Sequence, residues 1–181
     1  MFADMNIISK NSFMLLRFLG RHYREKFYVR EIARVLDMGL GTASETLGRL
    51  TDAGLLHREK RGRLVMYQAA MESTLLREMK ICATLIELNP LILQLNGIVT
   101  RVILFGSTAT GEDTHESDID LFVETMDTSR VDEVVTVRQA TLERKISPII
   151  ITPGEFRSLK TTDPALHTRI LSGKLLIEEL R

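Results

Sequence analysis

The chain has 181 residues and no net charge, because 24 lysines and arginines balance 24 aspartates and glutamates. Hydrophobic residues make up 44% of it, which is typical of a globular protein and excludes a disordered one. No apolar stretch is long enough to span a membrane, and the first ten residues lack the plan of a secretion signal. The single cysteine, Cys82, excludes an internal disulfide. We therefore expect a cytoplasmic protein of one or two small domains, with Cys82 as a buried thiol.

Charge is distributed unevenly along the chain. Residues 1–70 hold 12 basic and 7 acidic residues, an excess of five positive charges, whereas residues 71–181 hold 12 and 17, an excess of five negative charges. Segregation of this kind favours a polyanionic partner, such as nucleic acid, for the first part of the chain.

Three amphipathic helices are predicted in the first part, from the spacing of apolar residues and from the glycines that follow them. They cover Ser12–Leu19 with Gly20 as its stop, Tyr28–Leu36, and Thr42–Ala53 with Gly54 just past its end. The short segment Asp37–Gly41 joins the second helix to the third. Two helices joined by a short turn that contains glycine form a helix-turn-helix.

A hairpin with a basic tip is predicted next. Its strands are Leu55–Lys60 and Arg63–Gln68, and Arg61-Gly62 forms the tip. Over about residues 8–70 this pattern resembles the winged helix-turn-helix domains of MarR-like and ArsR-like regulators, and we assign residues 1–70 to such a domain. In those regulators the third helix enters the major groove of DNA, and the β-hairpin, called the wing, contacts the DNA backbone or the minor groove.

The resemblance implies that the first part binds double-stranded DNA. The residues expected to contact it are polar residues of the third helix and arginines of the wing: Thr42, Ser44, Glu45, Thr46, Arg49, Arg61 and Arg63. An alternative stays open, because the third helix has only one arginine: a winged helix that serves only to dock another protein.

A continuous linking helix is predicted over residues 71–88. Asn89-Pro90 would end it before a short helix over Leu91–Leu95. Its apolar stripe is broader than one small domain needs, so it packs either between two domains or against a second chain. We favour a homodimer, because winged-helix regulators usually read two half-sites.

The most informative segment is GSTATGEDTHESDID, which runs from Gly106 to Asp120 between two short apolar strands. Asp118 and Asp120 alternate with apolar residues, so their carboxylates point to the same face of a strand. Carboxylate oxygens suit Mg²⁺ when phosphate oxygens supply its other ligands. Gly106 lets the backbone approach a phosphate closely, and Ser107 adds hydrogen-bond donors there. The pattern indicates a magnesium-nucleotide site.

Residues Leu104 to Val123 resemble the signature of the nucleotidyltransferases of the DNA polymerase beta superfamily, and the compact layout resembles the minimal members of that group. The resemblance covers about residues 88–181, and we assign residues 89–181 to this domain. It implies that Asp118 and Asp120 hold Mg²⁺ and carry out catalysis. It also implies that Gly106 and Ser107 hold a nucleoside triphosphate such as ATP, and that Ser117 shapes the turn before the aspartates and contacts the nucleotide.

The implied reaction is transfer of a nucleoside monophosphate to an acceptor, which in some minimal members is a separate small helical protein. The whole chain is then predicted to be an α+β protein. A winged helix-turn-helix comes first, and a nucleotidyltransferase fold with a mixed β-sheet flanked by helices follows.

One part of the family pattern is missing. Active members usually carry a third carboxylate on a later strand, but the predicted strand over residues 146–152 contains no acid. Ser147, in preference to Ile149, stands where we would look for it. Glu143 and Glu155 flank that strand and are alternatives, although both also fit ordinary surface glutamates.

Two hypotheses follow from that missing acid. The first is a magnesium-dependent nucleotidyltransferase that carries a DNA-binding domain. The second is a transcription regulator whose nucleotidyltransferase-like domain only binds nucleotide or is inactive.

Overall fold

The computed structural model describes residues 9–179. The first eight residues, which contain most of the segment considered for a secretion signal, lie outside that range. The chain divides into two compact units, Met1–Ala83 and Thr84–Arg181. Among the described residues, no helix has the length and apolar character that a membrane crossing requires.

The first unit combines helices with a three-stranded antiparallel sheet. Its elements are α1 (Lys10–Arg21), β1 (Phe27–Tyr28), α2 (Val29–Val35), α3 (Leu40–Asp52), β2 (Leu56–Arg61) and β3 (Leu64–Ala69), and the start of α4 (Thr74–Leu95) follows. The strand order is β1-β3-β2. Leucines of α1 and α3 meet Tyr67 of β3 in one core. The arrangement is a helix-turn-helix followed by a β-hairpin.

Two details of this unit differ from the prediction. Helix α1 continues through Gly20, because Gly20 packs against the side chain of Lys80, and a Cβ there would lie 3.0 Å from the Lys80 Cδ. The hairpin tip is Gly62-Arg63, one residue later than predicted, because Arg61 pairs with Leu64. Gly62 has a φ of +61°, as type II′ turns require of their first central residue.

Helix α4 does not end at Pro90, contrary to the prediction. It runs unbroken from Thr74 to Leu95 with Pro90 inside it. An internal proline costs about 3 kcal/mol through its missing N–H and its steric clash. Leucines before and after it, at positions 88, 91 and 95, are fully buried, and their burial offsets that cost. Cys82 on this helix is exposed, so the expectation of a buried thiol was also wrong.

The second unit is built on a four-stranded mixed sheet. After the end of α4 its elements are β4 (Arg101–Phe105), α5 (Ser107–Thr110), β5 (Ile119–Glu124), α6 (Thr128–Gln139), β6 (Ile146–Ile151), α7 (Pro153–Thr162), α8 (Pro164–Leu171) and β7 (Lys174–Glu178). The strand order is β6-β5-β4-β7. Strands β5 and β6 are parallel, while β4 is antiparallel to both of its neighbours.

The two faces of this sheet form separate cores. Ile119, Leu121 and Val123 of β5 pack on the face that contacts α4 and α6. Phe122 packs on the opposite face, with Phe156 of α7 and residues of α8. Because side chains alternate along a strand, Asp120 shares the face of Phe122. The predicted α+β fold, with the helix-turn-helix first and the mixed sheet second, is confirmed.

Strand β6 lies at an edge of the sheet. It contains Pro148, and the N–H of Ile146 donates to the Gln139 Oε1 at 2.7 Å. Proline is found in sheets mainly at such edges, because it has no N–H to give to a ladder.

Candidate nucleotide site and nucleic-acid interface

Gly106 forms the turn between β4 and α5, and only glycine suits it. Its φ of +69° and ψ of −158° lie in a region that other residues essentially never adopt. A Cβ added there would lie 2.1 Å from the Asp120 Oδ2. The buried hydroxyl of Thr108 donates to the carbonyl of Phe105 at 3.2 Å and fixes the turn from behind. The bare backbone of Gly106 therefore lies directly against one of the predicted metal ligands.

Asp118 and Asp120 reach the site from the beginning of β5. Asp120 pairs directly with Phe105 across the antiparallel ladder, and Asp118 precedes the strand by one residue. The hydroxyl of Ser117 accepts a hydrogen bond from the N–H of Thr114 at 2.9 Å, which closes the turn before the strand. Ser117 therefore shapes this turn, whereas its contact with a nucleotide stays a prediction.

The electrostatics of the carboxylate pair favour a cation. Burial raises the pKa of Asp120; the positive charge of Arg169 opposes this rise, and the negative charge of Asp118 reinforces it. The Nζ of Lys145 lies 3.7 Å from the Asp118 Oδ2. Two hard oxygen ligands on one face, with one carboxylate partly desolvated, form a donor set that fits Mg²⁺.

A buried ionic cluster supports the segment that carries these carboxylates. The guanidinium of Arg144 donates to the Asp113 Oδ2 at 2.9 Å, the Thr84 Oγ1 at 2.9 Å and the Glu87 Oε2 at 3.1 Å. Asp113 lies in the loop between α5 and β5, and Arg144 precedes β6. The cluster ties that loop to α4. Sequence reasoning missed it, because single charged residues in three distant segments form no pattern.

The exposed face of α3 carries most, but not all, of the residues predicted to contact DNA. Thr42, Ser44, Glu45 and Arg49 are exposed. Thr46 is fully buried, and its hydroxyl accepts a hydrogen bond from the Arg49 Nη2 at 3.2 Å. It shares the helical spacing of the core residues at positions 43, 47 and 50, so it faces inward. The prediction that Thr46 contacts DNA was therefore wrong.

The wing and α2 line a groove that contains three arginines and Glu31. Arg61 and Arg63 of the wing are exposed, and the Arg61 Nε lies 3.0 Å from the Glu59 Oε1. A groove of about 780 Å³ is lined by Arg63, Ser44 and two further arginines of α2, Arg30 and Arg34. Sequence reasoning missed those two, although their spacing of four residues places them on one face of a helix.

The family comparison settles what the second unit is. Residues 87–181, more than half of the chain, match the family described as polymerase beta, nucleotidyltransferase. The chain belongs to this family. Residues 7–59 match a helix-turn-helix domain, so the predicted fusion of the two domains is confirmed. No curated protein matches the chain closely enough to add to this.

In the candidate nucleotide site, a serine lies beside the second aspartate. In the parallel register of β5 and β6, Asp120 pairs with Ser147, and Ile149 lies two residues further along. Glu155 caps the N-terminus of α7. Its Oε2 accepts hydrogen bonds from the N–H of Thr152 at 2.7 Å and from the hydroxyl of Thr152 at 2.8 Å. These bonds lower the pKa of Glu155. Glu143 is exposed and precedes β6.

Proposed function

We propose that the chain binds a magnesium-nucleoside triphosphate, such as ATP, at Gly106, Ser107, Asp118 and Asp120. The observation that carries this proposal is the contact between the bare backbone of Gly106 and the carboxylate of Asp120, with Asp118 on the same face. A phosphate can approach a turn without a Cβ, while two carboxylates hold the cation that accompanies it.

The roles of the residues follow from their chemistry. Asp118 and Asp120 would hold Mg²⁺, which neutralises negative charge on the phosphates when bound. Ser107 offers an N–H and a hydroxyl to the phosphates at the turn. In nucleotidyl transfer, an oxygen of the acceptor bonds to the α-phosphorus, and the bond from that phosphorus to pyrophosphate breaks.

A second candidate is a DNA-binding regulator that binds nucleotide without turning it over. The observation that favours it is Ser147, which stands beside Asp120 where an acid would complete the site. A serine hydroxyl is a weak base at neutral pH, so the proton of an attacking hydroxyl has no carboxylate at this position to receive it. Nucleotide binding alone is compatible with both candidates.

The first experiment tests the nucleotide site. Asp118→Asn combined with Asp120→Asn should abolish magnesium-dependent ATP binding, measured by calorimetry, while circular dichroism shows a folded protein. Asp132→Asn with Glu133→Gln removes two exposed charges from α6 and serves as the control. If the aspartate variant binds Mg-ATP as well as the parent, the site is misassigned.

The second experiment separates the two candidates. Each of the four nucleoside triphosphates, labelled at the α-phosphate, is incubated with the chain, Mg²⁺ and cell extract. Label that becomes attached to a macromolecule, with release of pyrophosphate, supports the transferase. Bound but unaltered nucleotide in every case supports the regulator.

We infer that the helix-turn-helix unit binds double-stranded DNA through the exposed residues of α3 and through the groove arginines Arg30, Arg34 and Arg63. Each phosphate contact contributes about 0.9 to the slope of log affinity against log salt. Arg30→Ala and Arg34→Ala should each reduce that slope by about this amount on random-sequence duplex DNA. Arg24→Ala, an exposed arginine outside the groove, is the control. Absence of salt-dependent binding would instead favour a protein-docking module.

We also propose a homodimer held by α4. Leu75, Ile86 and Leu93 on this helix are 51%, 58% and 68% exposed, and Cys82 is exposed as well. Together with Asn89 and with Met79, which is partly buried against the core of the first unit, they follow alternating steps of four and three residues, the spacing of a coiled-coil seam. A second copy of the same helix would cover such a stripe by an isologous contact.

A further inference from the structure

Arg169 of α8 lies over the edge of the nucleotide site. Its Cζ is 5.8 Å from the ring centroid of Phe105. Phe105 immediately precedes the Gly106 turn and pairs directly with Asp120, so the side chains of Phe105 and Asp120 share one face of the sheet. The guanidinium therefore stands near both the glycine turn and the carboxylate of Asp120.

The backbone that carries Arg169 is held firmly against the sheet. Ile170 is fully buried in the core between α7, α8 and the sheet. Gly173, just after the helix, touches β4 so closely that a Cβ there would lie 2.4 Å from the carbonyl oxygen of Leu104. The rings of Phe156 and His167 stack with centroids 5.0 Å apart and join α7 to α8. A fixed backbone with an exposed side chain presents the guanidinium at a defined place.

The charge of Arg169 acts on Asp120 through space, but it is not held in a direct ion pair among the described residues. In the part of the chain that the structure describes, no carboxylate lies within 4.0 Å of its nitrogens. A triphosphate adds several negative charges next to Asp118 and Asp120, so a protein cation beside the phosphates that the metal does not neutralise favours its binding. Arginine meets this need well, because its planar guanidinium donates two parallel hydrogen bonds to phosphate oxygens.

We propose that Arg169 binds the phosphates beyond the α-phosphate, and so makes the site prefer nucleoside triphosphates and pyrophosphate to nucleoside monophosphates. This inference rests on the proposed function, since it assigns a residue to the same nucleotide site. The competing explanation is that Arg169 only packs its stem on Phe105.

The test compares ligands with and without the terminal phosphates. Arg169→Met keeps an apolar stem over Phe105 and removes the charge. Calorimetry with Mg²⁺ should show ATP and pyrophosphate binding weakened about tenfold or more, because hydrogen bonds to charged groups contribute strongly. AMP binding should change less than about twofold, since AMP lacks the phosphates in question. Arg169→Lys should recover part of the loss, and Lys160→Met, an exposed cation of α7, should change nothing.

Two results would overturn the inference. One is an Arg169→Met variant that binds ATP and pyrophosphate as tightly as the parent. The other is an equal loss for ATP and AMP together with a lower melting temperature, which would show a structural role. In either case the proposed function stands, provided that the parent binds Mg-ATP and the double aspartate variant does not. A parent that binds no Mg-ATP would refute the proposed function itself.

Discussion

Gly106 controls how closely the turn after β4 approaches Asp120. Gly106→Ala should destabilise the protein by about 1–3 kcal/mol, since its backbone conformation is essentially restricted to glycine. The new Cβ should also displace the Asp120 carboxylate and weaken Mg-ATP binding. Urea unfolding and calorimetry measure the two effects. Gly48→Ala, in the interior of α3 with no heavy atom within 4 Å of its added Cβ, should be neutral or stabilising. Equal effects at both positions would contradict this account.

The raised pKa of Asp120 determines the direction in which pH should change the stability of the protein. Its carboxyl holds a proton more tightly in the folded state than in the unfolded state, whose value is about 3.8. The stabilisation is therefore complete below the unfolded pKa and is lost as the pH rises through the folded pKa. Asp120→Asn should thus melt at a higher temperature than the parent at neutral pH, and the difference should shrink in acid. Melting curves from about pH 4 to about pH 8 would check this.

Ser147 is the position at which a third carboxylate would stand beside Asp120. Ser147→Asp should raise the rate of nucleotidyl transfer severalfold, because it supplies a base and a further oxygen ligand. Ile149→Asp, on the same strand but two residues further on, is the matched control and should not raise it. A parent that already turns over rapidly and stops with Glu143→Gln would show that the acid comes from another element.

Some residues of the site could be identified from the sequence because they lie close together in it, whereas others could not. Gly106, Asp118 and Asp120 were identified because they lie in one short segment between two apolar strands. Arg169 and Arg144 were missed, because each reaches its place from a separate element and a lone arginine carries no periodic signal. The burial of Thr46 was not foreseen, because threonine occurs both at buried and at exposed positions of a helix.

At the scale of elements, the buried Arg144 cluster holds the loop between α5 and β5 to α4. Arg144→Met should cost about 3–5 kcal/mol of unfolding free energy, because it leaves buried carboxylates without their cation. Arg144→Lys should recover only part of this, since an ammonium cannot reproduce the geometry of the guanidinium. Arg130→Met on the exposed face of α6 should change stability by less than about 0.5 kcal/mol. Urea unfolding curves that show the same cost for Arg144 and Arg130 would contradict the assigned role.

The types of the elements were predictable from the sequence, whereas several of their boundaries were not. Apolar spacing indicated the three helices and the hairpin of the first unit and the central strands of the second. The end of α4 was misplaced because proline propensity is local, while the burial of leucines 88, 91 and 95 depends on the sheet that they contact. The end of α1 was misplaced at Gly20 for a similar reason, because Lys80, against which Gly20 packs, is sixty residues away in the sequence.

At the scale of the whole molecule, the exposed stripe of α4 predicts self-association. Ile86→Glu with Leu93→Glu places charges in the proposed seam and should convert a dimer to a monomer at micromolar concentration, as measured by sedimentation. Val137→Glu, an exposed apolar residue of α6 that is 71% accessible, is the control and should leave the association state unchanged. A parent that is already monomeric at these concentrations would refute the dimer.

The edge strand β6 has a consequence for solubility. The carbonyl of Ile151 points towards β5 and accepts a hydrogen bond from the N–H of Thr125. The backbone N–H and C=O groups of the even-numbered residues of β6 therefore point away from β5, towards the open edge of the sheet. Two of these residues offer no free N–H at the open edge: the N–H of Ile146 donates to Gln139, and Pro148 has no N–H. The N–H of Ile150 is then the outward donor left for a passing strand. Such an edge is a poor template for edge-to-edge pairing, so a run of four isoleucines in six residues can lie at the rim of the sheet without promoting aggregation.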